Sequence, residues 1–298
     1  MIIGELYDRN RALEVVKELR QQGIEAELLT GLLEGETIFQ IKVLKEVDAP
    51  SAAEYFRVRM GLPGPPPEPD PEWVKLKSVP LGPITKIILV LSGLIYITRF
   101  KPELFMKVVE LFFFNVPREE FFSSISQGQV WRLITPIFLH FSFMHILFNG
   151  LWIKDLGSLF EKEKGSLQFL LFLLVSGIIS NTLQYVAMGR PEFGGLSGVV
   201  YALLGFLWVD GKINPDAEFR LPKRDVVLMV GWYLLCLSGL IGNIANIAHG
   251  VGLGVGMIWG LFPWRGNLLK ERFVFIFLSL IFALGTFLIE IARLRYLS

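Results

Sequence analysis

Residues 194–202, Gly194-Gly195-Leu196-Ser197-Gly198-Val199-Val200-Tyr201-Ala202, place a serine at the start of an apolar segment. Unpartnered polar groups are costly inside a bilayer, so a serine at this place needs a reason. The glycines around it, Gly195 and Gly198 among them, remove side chains that would block a close approach of helices. Free backbone N–H groups at a helix N-terminus also suit an anion. The stretch predicts a helix beginning at Ser197, whose hydroxyl is either a nucleophile or a simple cap.

A histidine in a later apolar segment changes the balance between these two readings. His249 is followed by Gly252 and Gly256, so all three lie along one face of a helix. Glycines on that face let another helix backbone come very near, and the face that carries Ser197 and Tyr201 is the expected partner. His249 would then be the base, with Tyr201 supporting its ring. The alternative is a buried histidine bonded to a carbonyl, with the glycines serving only assembly.

A second polar pair lies in an earlier apolar segment. His145 and Asn149 are four residues apart and therefore point to one side of a helix. Neither is a carboxylate, but side-chain hydrogen-bond donors suit a developing oxyanion. His140, five residues before His145, is expected to lie in a loop and to fix it. Together the three stretches supply a nucleophile, a base and an anion stabiliser, which indicates a peptidase working within the membrane.

Other chemistries find less support in the sequence. No HExxH motif occurs, and three histidines without a clustered carboxylate make a poor zinc site, so neither a metal nor another cofactor is expected. No Gly-x-Gly-Asp motif accompanies an intramembrane aspartate. Asp155 stands beside Lys154, and because neighbouring side chains diverge on a helix, the two are expected to need separate partners or water.

Composition places the chain among membrane proteins. Of its 298 residues, 52% are apolar and 19% are charged, and the formal net charge is +1. A soluble protein of this length could bury a core with fewer apolar residues. The near-neutral charge indicates no strong attraction to nucleic acid. The single cysteine, Cys236, cannot form an internal disulfide, and the start lacks the pattern of a cleavable signal peptide.

The first sixty residues predict a small soluble α+β domain. Its expected strands and helices, in the order β-α-β-β-α, lie at 2–7, from Asp8 or Asn10 to Gly23, 25–30, 37–44 and 52–60. This order is typical of a ferredoxin-like domain or half of one. Six prolines follow among residues 61–71, which favours an extended, semi-rigid spacer.

Apolar segments of about membrane length fill the rest of the chain. They are expected at 83–99, 143–161, 167–187, 197–210, 224–241, 245–263 and 273–292. Residues 100–142 between the first two predict an amphipathic helix at the membrane interface, near Trp131 and Arg132. With the N-terminus inside, most basic residues fall on the inner side, as the positive-inside rule favours.

These motifs together resemble the rhomboid family of intramembrane serine proteases, of the bacterial GlpG type. The matching residues run in the family's order from Trp131-Arg132 through residues 140–149 and 194–202 to Ala248-His249, Gly252 and Gly256. The resemblance implies a core of six helices around a water-filled cavity open to the outer side. The last segment, 273–292, adds a seventh helix that the GlpG type lacks. It is expected to pack on the outside of the core or to alter substrate access.

The resemblance also implies roles for individual residues. Ser197 would be the nucleophile and His249 its general base, as a dyad without an orienting aspartate. His145, Asn149 and the N–H of Ser197 would form the oxyanion hole. The residues expected to support this site are Tyr201, Gly195, Gly198, Gly252 and Gly256, and those expected at a side gate for the substrate helix are Phe148 and Trp232.

The expected organisation has four parts. They are a cytoplasmic α+β domain at 1–60, a Pro-rich linker at 61–82, the rhomboid core at 83–263 and the extra helix at 264–298. The expected function is cleavage of transmembrane substrate proteins in the bacterial inner membrane, with membrane lipid around the protein and no oligomeric state specified. The alternatives are a catalytically silent rhomboid-like protein that binds or escorts membrane clients and, more weakly, a transporter or channel.

Overall fold

The computed structural model describes residues 1–33, 35–64, 71–114, 123–189, 192–242, 244–262 and 269–297. Its contacts divide the chain into two compact units, Met1–Pro69 and Asp70–Ser298. The predicted spacer at 61–71 falls partly on residues 65–70, which lie outside the described residues, as does the expected boundary between 263 and 264.

The first unit is a three-stranded sheet with two helices. Its elements are β1 (Ile2–Leu6), α1 (Arg9–Gln21), β2 (Ala26–Leu33), β3 (Glu36–Val43) and α2 (Ala49–Arg59). The strands lie in the order β1-β3-β2, and both pairs are antiparallel. The observed order β-α-β-β-α is the predicted one.

Local chemistry explains why α1 begins and ends where it does. The carboxylate of Asp8 accepts hydrogen bonds from the backbone N–H groups of Asn10 and Arg11, at 2.8 and 3.2 Å. An acidic side chain at this place satisfies N–H groups that have no partner within the helix. Gly23, two residues after the helix, has a φ of 82°, a conformation that glycine adopts at little cost. The helix buries an apolar stripe against the sheet, formed by Ala12, Val15, Val16 and Leu19.

The second unit consists of helices. They are α3 (Pro71–Lys77), α4 (Pro83–Ile97), α5 (Pro102–Phe112), α6 (Ser123–Ser126), α7 (Phe143–Trp152), α8 (Ser158–Lys164), α9 (Ser166–Met188), α10 (Ser197–Ile213), α11 (Lys223–Leu237), α12 (Asn246–Gly260) and α13 (Leu269–Leu297). Three stretches of the described residues are long and apolar enough to cross a membrane, namely Pro83–Phe100, Ser166–Met188 and Arg272–Arg293. The prediction of a helical membrane protein with a small N-terminal α+β unit is confirmed.

The remaining predicted spans differ from simple long helices. The second continues from α7 through a π-helical turn, Ile153–Gly157, into α8. α10 is 17 residues long, and its side chains are buried on nearly all sides. Because a buried helix need not face lipid over its whole length, it can be shorter than the roughly 20 residues of a free-standing span. α10 is therefore the centre of this unit.

The long connection after α4 contains the expected helix, α5. The buried Arg132 anchors the C-terminal end of this helix. Its Nη1 donates to the carbonyl oxygens of Glu110, at 2.6 Å, and of Phe113. Trp131 donates from Nε1 to the carbonyl oxygen of Leu111 at 3.0 Å. These bonds satisfy carbonyl groups at the C-terminal end of α5, which have no partner within the helix.

The expectation for Lys154 and Asp155 holds only in part, because Asp155 has a separate partner but also pairs with Lys154. The buried carboxylate of Asp155 pairs with its neighbour Lys154, at 3.2 Å, and also with Lys77 of α3. Both residues lie in the π-helical turn, where the angle between successive side chains differs from that of an α-helix. The long lysine side chain can also bend back, so sequence neighbours share one ion pair here.

Candidate active site

Ser197 is the first residue of the central helix α10 and is half-buried. The chain reaches it through Gly195, whose φ of 109° is readily adopted only by glycine. The N–H of Gly195 donates to the carbonyl oxygen of Pro136 at 3.0 Å, which fixes the approach to the helix. Since the first N–H groups of a helix have no partner within it, the serine stands beside unused backbone donors.

His249 lies one turn into α12 and touches the serine directly. Its Nε2 is 2.8 Å from Oγ of Ser197, a hydrogen-bond distance, although the two residues are 52 positions apart. The imidazole is buried, with 4% of its surface exposed. A serine hydroxyl bonded to an imidazole nitrogen is the arrangement by which a base activates a nucleophile.

Glycines bring the two helices into backbone contact. A Cβ placed on Gly252 would lie 2.1 Å from the carbonyl oxygen of Gly198, and one on Gly256 would lie 1.8 Å from that of Ala202. Neither position has room for any side chain. The close approach of α10 and α12 that brings Ser197 next to its histidine therefore depends on these glycines.

Tyr201 packs against the imidazole, as the spacing predicted. The two ring centres are 4.8 Å apart and the planes are inclined by 36°. The Tyr201 hydroxyl donates to the carbonyl oxygen of Met229 in α11 at 3.1 Å, so the buried ring is held at its far end. Tyr201 thereby limits the positions open to the ring of His249.

His145 and Asn149 reach the same place from α7. A Cβ on Gly195 would lie 2.5 Å from Nε2 of His145 and 3.3 Å from Nδ2 of Asn149, so both side chains lie against the backbone two residues before Ser197. Ser142 caps α7 by accepting a hydrogen bond from the N–H of His145 at 3.1 Å. Within the described residues, the buried Nδ2 of Asn149 has no hydrogen-bond partner. An unused donor beside the serine suits a negatively charged oxygen.

His140 lies in the loop before α7 and does not contact the serine. Its Nδ1 is 3.1 Å from the carbonyl oxygen of Phe138, and its ring centre is 4.9 Å from that of His145. Its own carbonyl oxygen accepts a hydrogen bond from Arg99 at 3.0 Å. These contacts fit the expected role of holding the loop beside His145.

Phe148 and Trp232 meet at the edge between α7 and α11. Their ring centres are 6.2 Å apart, and both side chains are about half exposed. The two residues are far apart in sequence, so this contact joins the two helices. A side gate at this contact stays a prediction.

Two further residues that support the helix carrying His249 were not predicted from the sequence. Gln184 of α9 is buried and accepts a hydrogen bond from the N–H of Ala248 at 3.0 Å, which satisfies an N-terminal donor of α12. Asn246, the first residue of α12, is also buried. An amide inside an apolar helix such as α9 is a signal that could have identified Gln184.

In the part of the chain that the structure describes, no three histidine, cysteine, aspartate or glutamate side chains come close enough to hold a metal ion. The groups that meet are a hydroxyl, two imidazoles, an amide and backbone N–H groups. Such a set can attack a carbonyl carbon, move a proton and stabilise an oxyanion.

Parts of known proteins are similar in sequence to this chain. Residues 127–266 match the family model described as the Rhomboid domain. The chain is 37% identical over 177 residues to the rhomboid protease GlpG of Salmonella choleraesuis (strain SC-B67), covering 59% of this chain and 61% of that protein. It is 37% identical over 147 residues to the rhomboid protease GlpG of Yersinia pestis (strain Pestoides F), covering 49% and 52%. The matches thus span between half and two thirds of the length of these relatives.

Proposed function

We propose that the chain is an intramembrane serine endopeptidase of the rhomboid family and of the GlpG type, since residues 127–266 match the Rhomboid domain and two rhomboid proteases GlpG are 37% identical to it over part of their length. The observation that carries the proposal is the 2.8 Å contact between Oγ of Ser197 and Nε2 of His249 inside an apolar helical unit. A hydroxyl that is hydrogen-bonded to an imidazole nitrogen is the arrangement by which a base activates a nucleophile. The curated relatives of the same type are named as proteases.

The proposed reaction begins with proton transfer within the dyad. With a proton on Nδ1, Nε2 of His249 accepts the hydroxyl proton of Ser197 as Oγ attacks the substrate carbonyl carbon. The carbonyl oxygen becomes an oxyanion. His249 then gives its proton to the leaving amine as the peptide C–N bond breaks, which leaves an acyl-enzyme. Water, activated in the same way, hydrolyses the ester and restores Ser197.

The oxyanion is assigned to three donors that lie beside Oγ of Ser197 or belong to that residue. Asn149 Nδ2 is buried without a partner among the described residues, and His145 lies beside it against Gly195. The N–H of Ser197 is the third proposed donor, because it is at the start of α10. Donors fixed before the reaction cost no reorganisation when the charge develops.

The proposed substrates are proteins with a transmembrane helix. Such a helix would arrive from the lipid, and the edge between α7 and α11, where Phe148 meets Trp232, is the proposed entry. Lipid therefore surrounds the route to the site, and cleavage is proposed in or near the substrate's membrane segment.

The chain is an integral membrane protein, and we place it in the bacterial inner membrane with residues 1–60 in the cytoplasm. The excess of basic residues on the loops that would then be inside supports this orientation. The proposed parts remain the domain at 1–60, the linker at 61–82, the core at 83–263 and the extra helix at 264–298. Protease treatment of spheroplasts should leave the N-terminal domain intact; its digestion would reverse the orientation.

The test uses purified protein in liposomes with a single-span model substrate. Wild type should cleave it, whereas Ser197→Ala and His249→Ala should not. A fluorophosphonate should label wild type at Ser197 and block cleavage. Equal cleavage by all three proteins would point to a contaminant and overturn the assignment. A protein that binds the substrate but neither cleaves it nor takes the label would instead be the silent binding or escort factor.

A further inference from the structure

A buried carboxylate lies in α13, the helix that follows the six motif-bearing segments. Glu290 is 5% exposed, and it belongs to the apolar stretch Arg272–Arg293. Removing a charge from water costs several kcal/mol unless partners compensate it, so an ionisable residue in such a helix points to a function. The proposed reaction makes no use of Glu290.

The partners of Glu290 connect three helices. Its Oε1 accepts a hydrogen bond from Nδ2 of Asn246 at 2.9 Å and another from Nη1 of Arg293 at 2.9 Å. Arg293 also donates from Nη2 to the carbonyl oxygen of Leu237, the last residue of α11. Glu290 and Arg293 thus bond to the end of α11 and the start of α12, the helix that carries the proposed base.

Asn246 links this cluster to the dyad. It is the first residue of α12, and His249 follows three positions later in the same first turn. Its Nδ2 also donates to the carbonyl oxygen of Cys236 at 3.3 Å, so the side chain is held from two sides. A shift of Asn246 therefore shifts the turn on which the imidazole is mounted.

The imidazole depends on that turn because little else orients it. Within the described residues, Nδ1 of His249 is buried and has no hydrogen-bond partner. In a catalytic triad, a carboxylate at this nitrogen holds the ring. Here the ring is positioned by the packing of Tyr201 and by the backbone of α12. The contacts that hold the first turn of α12 therefore set the distance between Nε2 of His249 and Oγ of Ser197.

We propose that Glu290 is a positioning residue, which holds His249 in reach of Ser197 by bonding Asn246 at the start of α12. This inference rests on the proposed function. It gives α13 a role in setting the reaction rate, in addition to its packing against the core. The bond to Asn246 is the essential one, and the pairing with Arg293 keeps the carboxylate in place.

Two conservative variants separate this role from a purely structural ion pair. Glu290→Gln keeps an acceptor oxygen at the same reach from Asn246 but loses the charge that faces Arg293. Glu290→Asp keeps the charge but is one methylene shorter, which withdraws the oxygen from both Asn246 and Arg293. A positioning role predicts an active Gln variant and a slow Asp variant. A purely structural ion pair predicts that both variants unfold more readily than wild type, while kcat of the folded protein is unchanged.

The experiment measures kcat, KM and thermal unfolding of the full chain in liposomes or detergent. Glu290→Asp should lower kcat by about 10- to 100-fold, since a misplacement near 1 Å can cost this much, with KM within about twofold of wild type. Glu290→Gln should stay within about threefold of wild type in kcat, because its acceptor remains. The control is Leu288→Ala, at an exposed position of the same helix, which should leave both constants unchanged.

A double-mutant cycle tests the link itself. Asn246→Ala and Glu290→Ala should each lower kcat, and the double variant should be little worse than either alone, because residues that act through one contact are not additive. If the Asp variant does not accumulate, this cycle and the Gln variant still distinguish a positioning role of Glu290 from a purely structural one. Additive effects, or an Asp variant as fast as the Gln variant, overturn the proposal. A wild type that neither cleaves nor takes the fluorophosphonate label would instead overturn the proposed function.

Discussion

Gly256→Ala should separate the two helices that carry the dyad. A Cβ at this position would lie 1.8 Å from the carbonyl oxygen of Ala202 in α10, whereas nonbonded heavy atoms prefer separations of about 3.5 Å. The colliding atom belongs to the backbone and cannot rotate away. Relief requires α12 to move from α10 by roughly 1.7 Å, the amount by which the contact is too short.

Such a shift affects both stability and rate. Overpacking typically costs about 1–3 kcal/mol, so the free energy of unfolding should fall by at least this much. The hydrogen bond between Ser197 and His249 starts at 2.8 Å and would be stretched beyond bonding distance by a shift of this size. A misplacement near 1 Å can cost about 10²-fold in rate, so kcat/KM should fall by that order.

The assay compares denaturant unfolding and kcat/KM of wild type, Gly256→Ala and a matched control. Gly93→Ala is the control, because the same change in α4 meets no atom within 4 Å. It should be neutral or stabilising by about 0.5–1 kcal/mol, since alanine favours a helix over glycine. A Gly256→Ala protein with unchanged unfolding and unchanged kcat/KM would refute the argument that backbone contact of α10 and α12 builds the dyad.

Four further predictions follow from the site and the first unit. Asn149→Ala should lower kcat by about 10²–10³-fold while KM changes little, because one oxyanion donor is lost; a full-rate variant would remove Asn149 from the site. Trp232→Ala should raise the cleavage rate of a membrane-embedded substrate but not that of a soluble peptide, if its contact with Phe148 gates lateral entry. Chelators should leave cleavage unchanged, because no step uses a metal; inhibition reversed by added Zn²⁺ would contradict this. In the first unit, hydrogen bonds from Tyr55 and then Arg59 hold the pKa of Glu18 below its ordinary value. The stability they give should be complete above the unfolded pKa of about 4.3 and decline as the pH falls through the folded pKa. Protection factors for amide hydrogen exchange should therefore fall there in wild type but not in Glu18→Gln.

Sequence reasoning succeeded where a local pattern carried the information. Gly252 and Gly256 mark the face of α12 that meets α10, because only glycines permit such a short distance between backbones. That face also holds His249, so its approach to Ser197 could be predicted before any coordinates were known. The helix periodicity likewise placed His145 and Asn149 on one side of α7.

Contacts that join distant parts of the chain carried no such pattern. Glu161 of α8 is buried and accepts hydrogen bonds from the N–H groups of Ile84 and Thr85, at 2.9 and 3.0 Å, at the start of α4. Asn246 and Glu290 are 44 positions apart. Each of these bonds depends on which helices become neighbours. Only the unusual presence of a carboxylate in an apolar segment hints at them.

The lone thiol of the chain has a practical consequence for spectroscopy. Cys236 is fully buried in α11, and burial raises the barrier to its reaction with water-borne maleimides and methanethiosulfonates. Cysteines introduced at exposed positions near the ends of two helices, such as Met144 in α7 and Leu240 just after α11, could therefore be labelled against little background. Pairs of spin labels or fluorophores would then report whether these helices separate when a substrate is added.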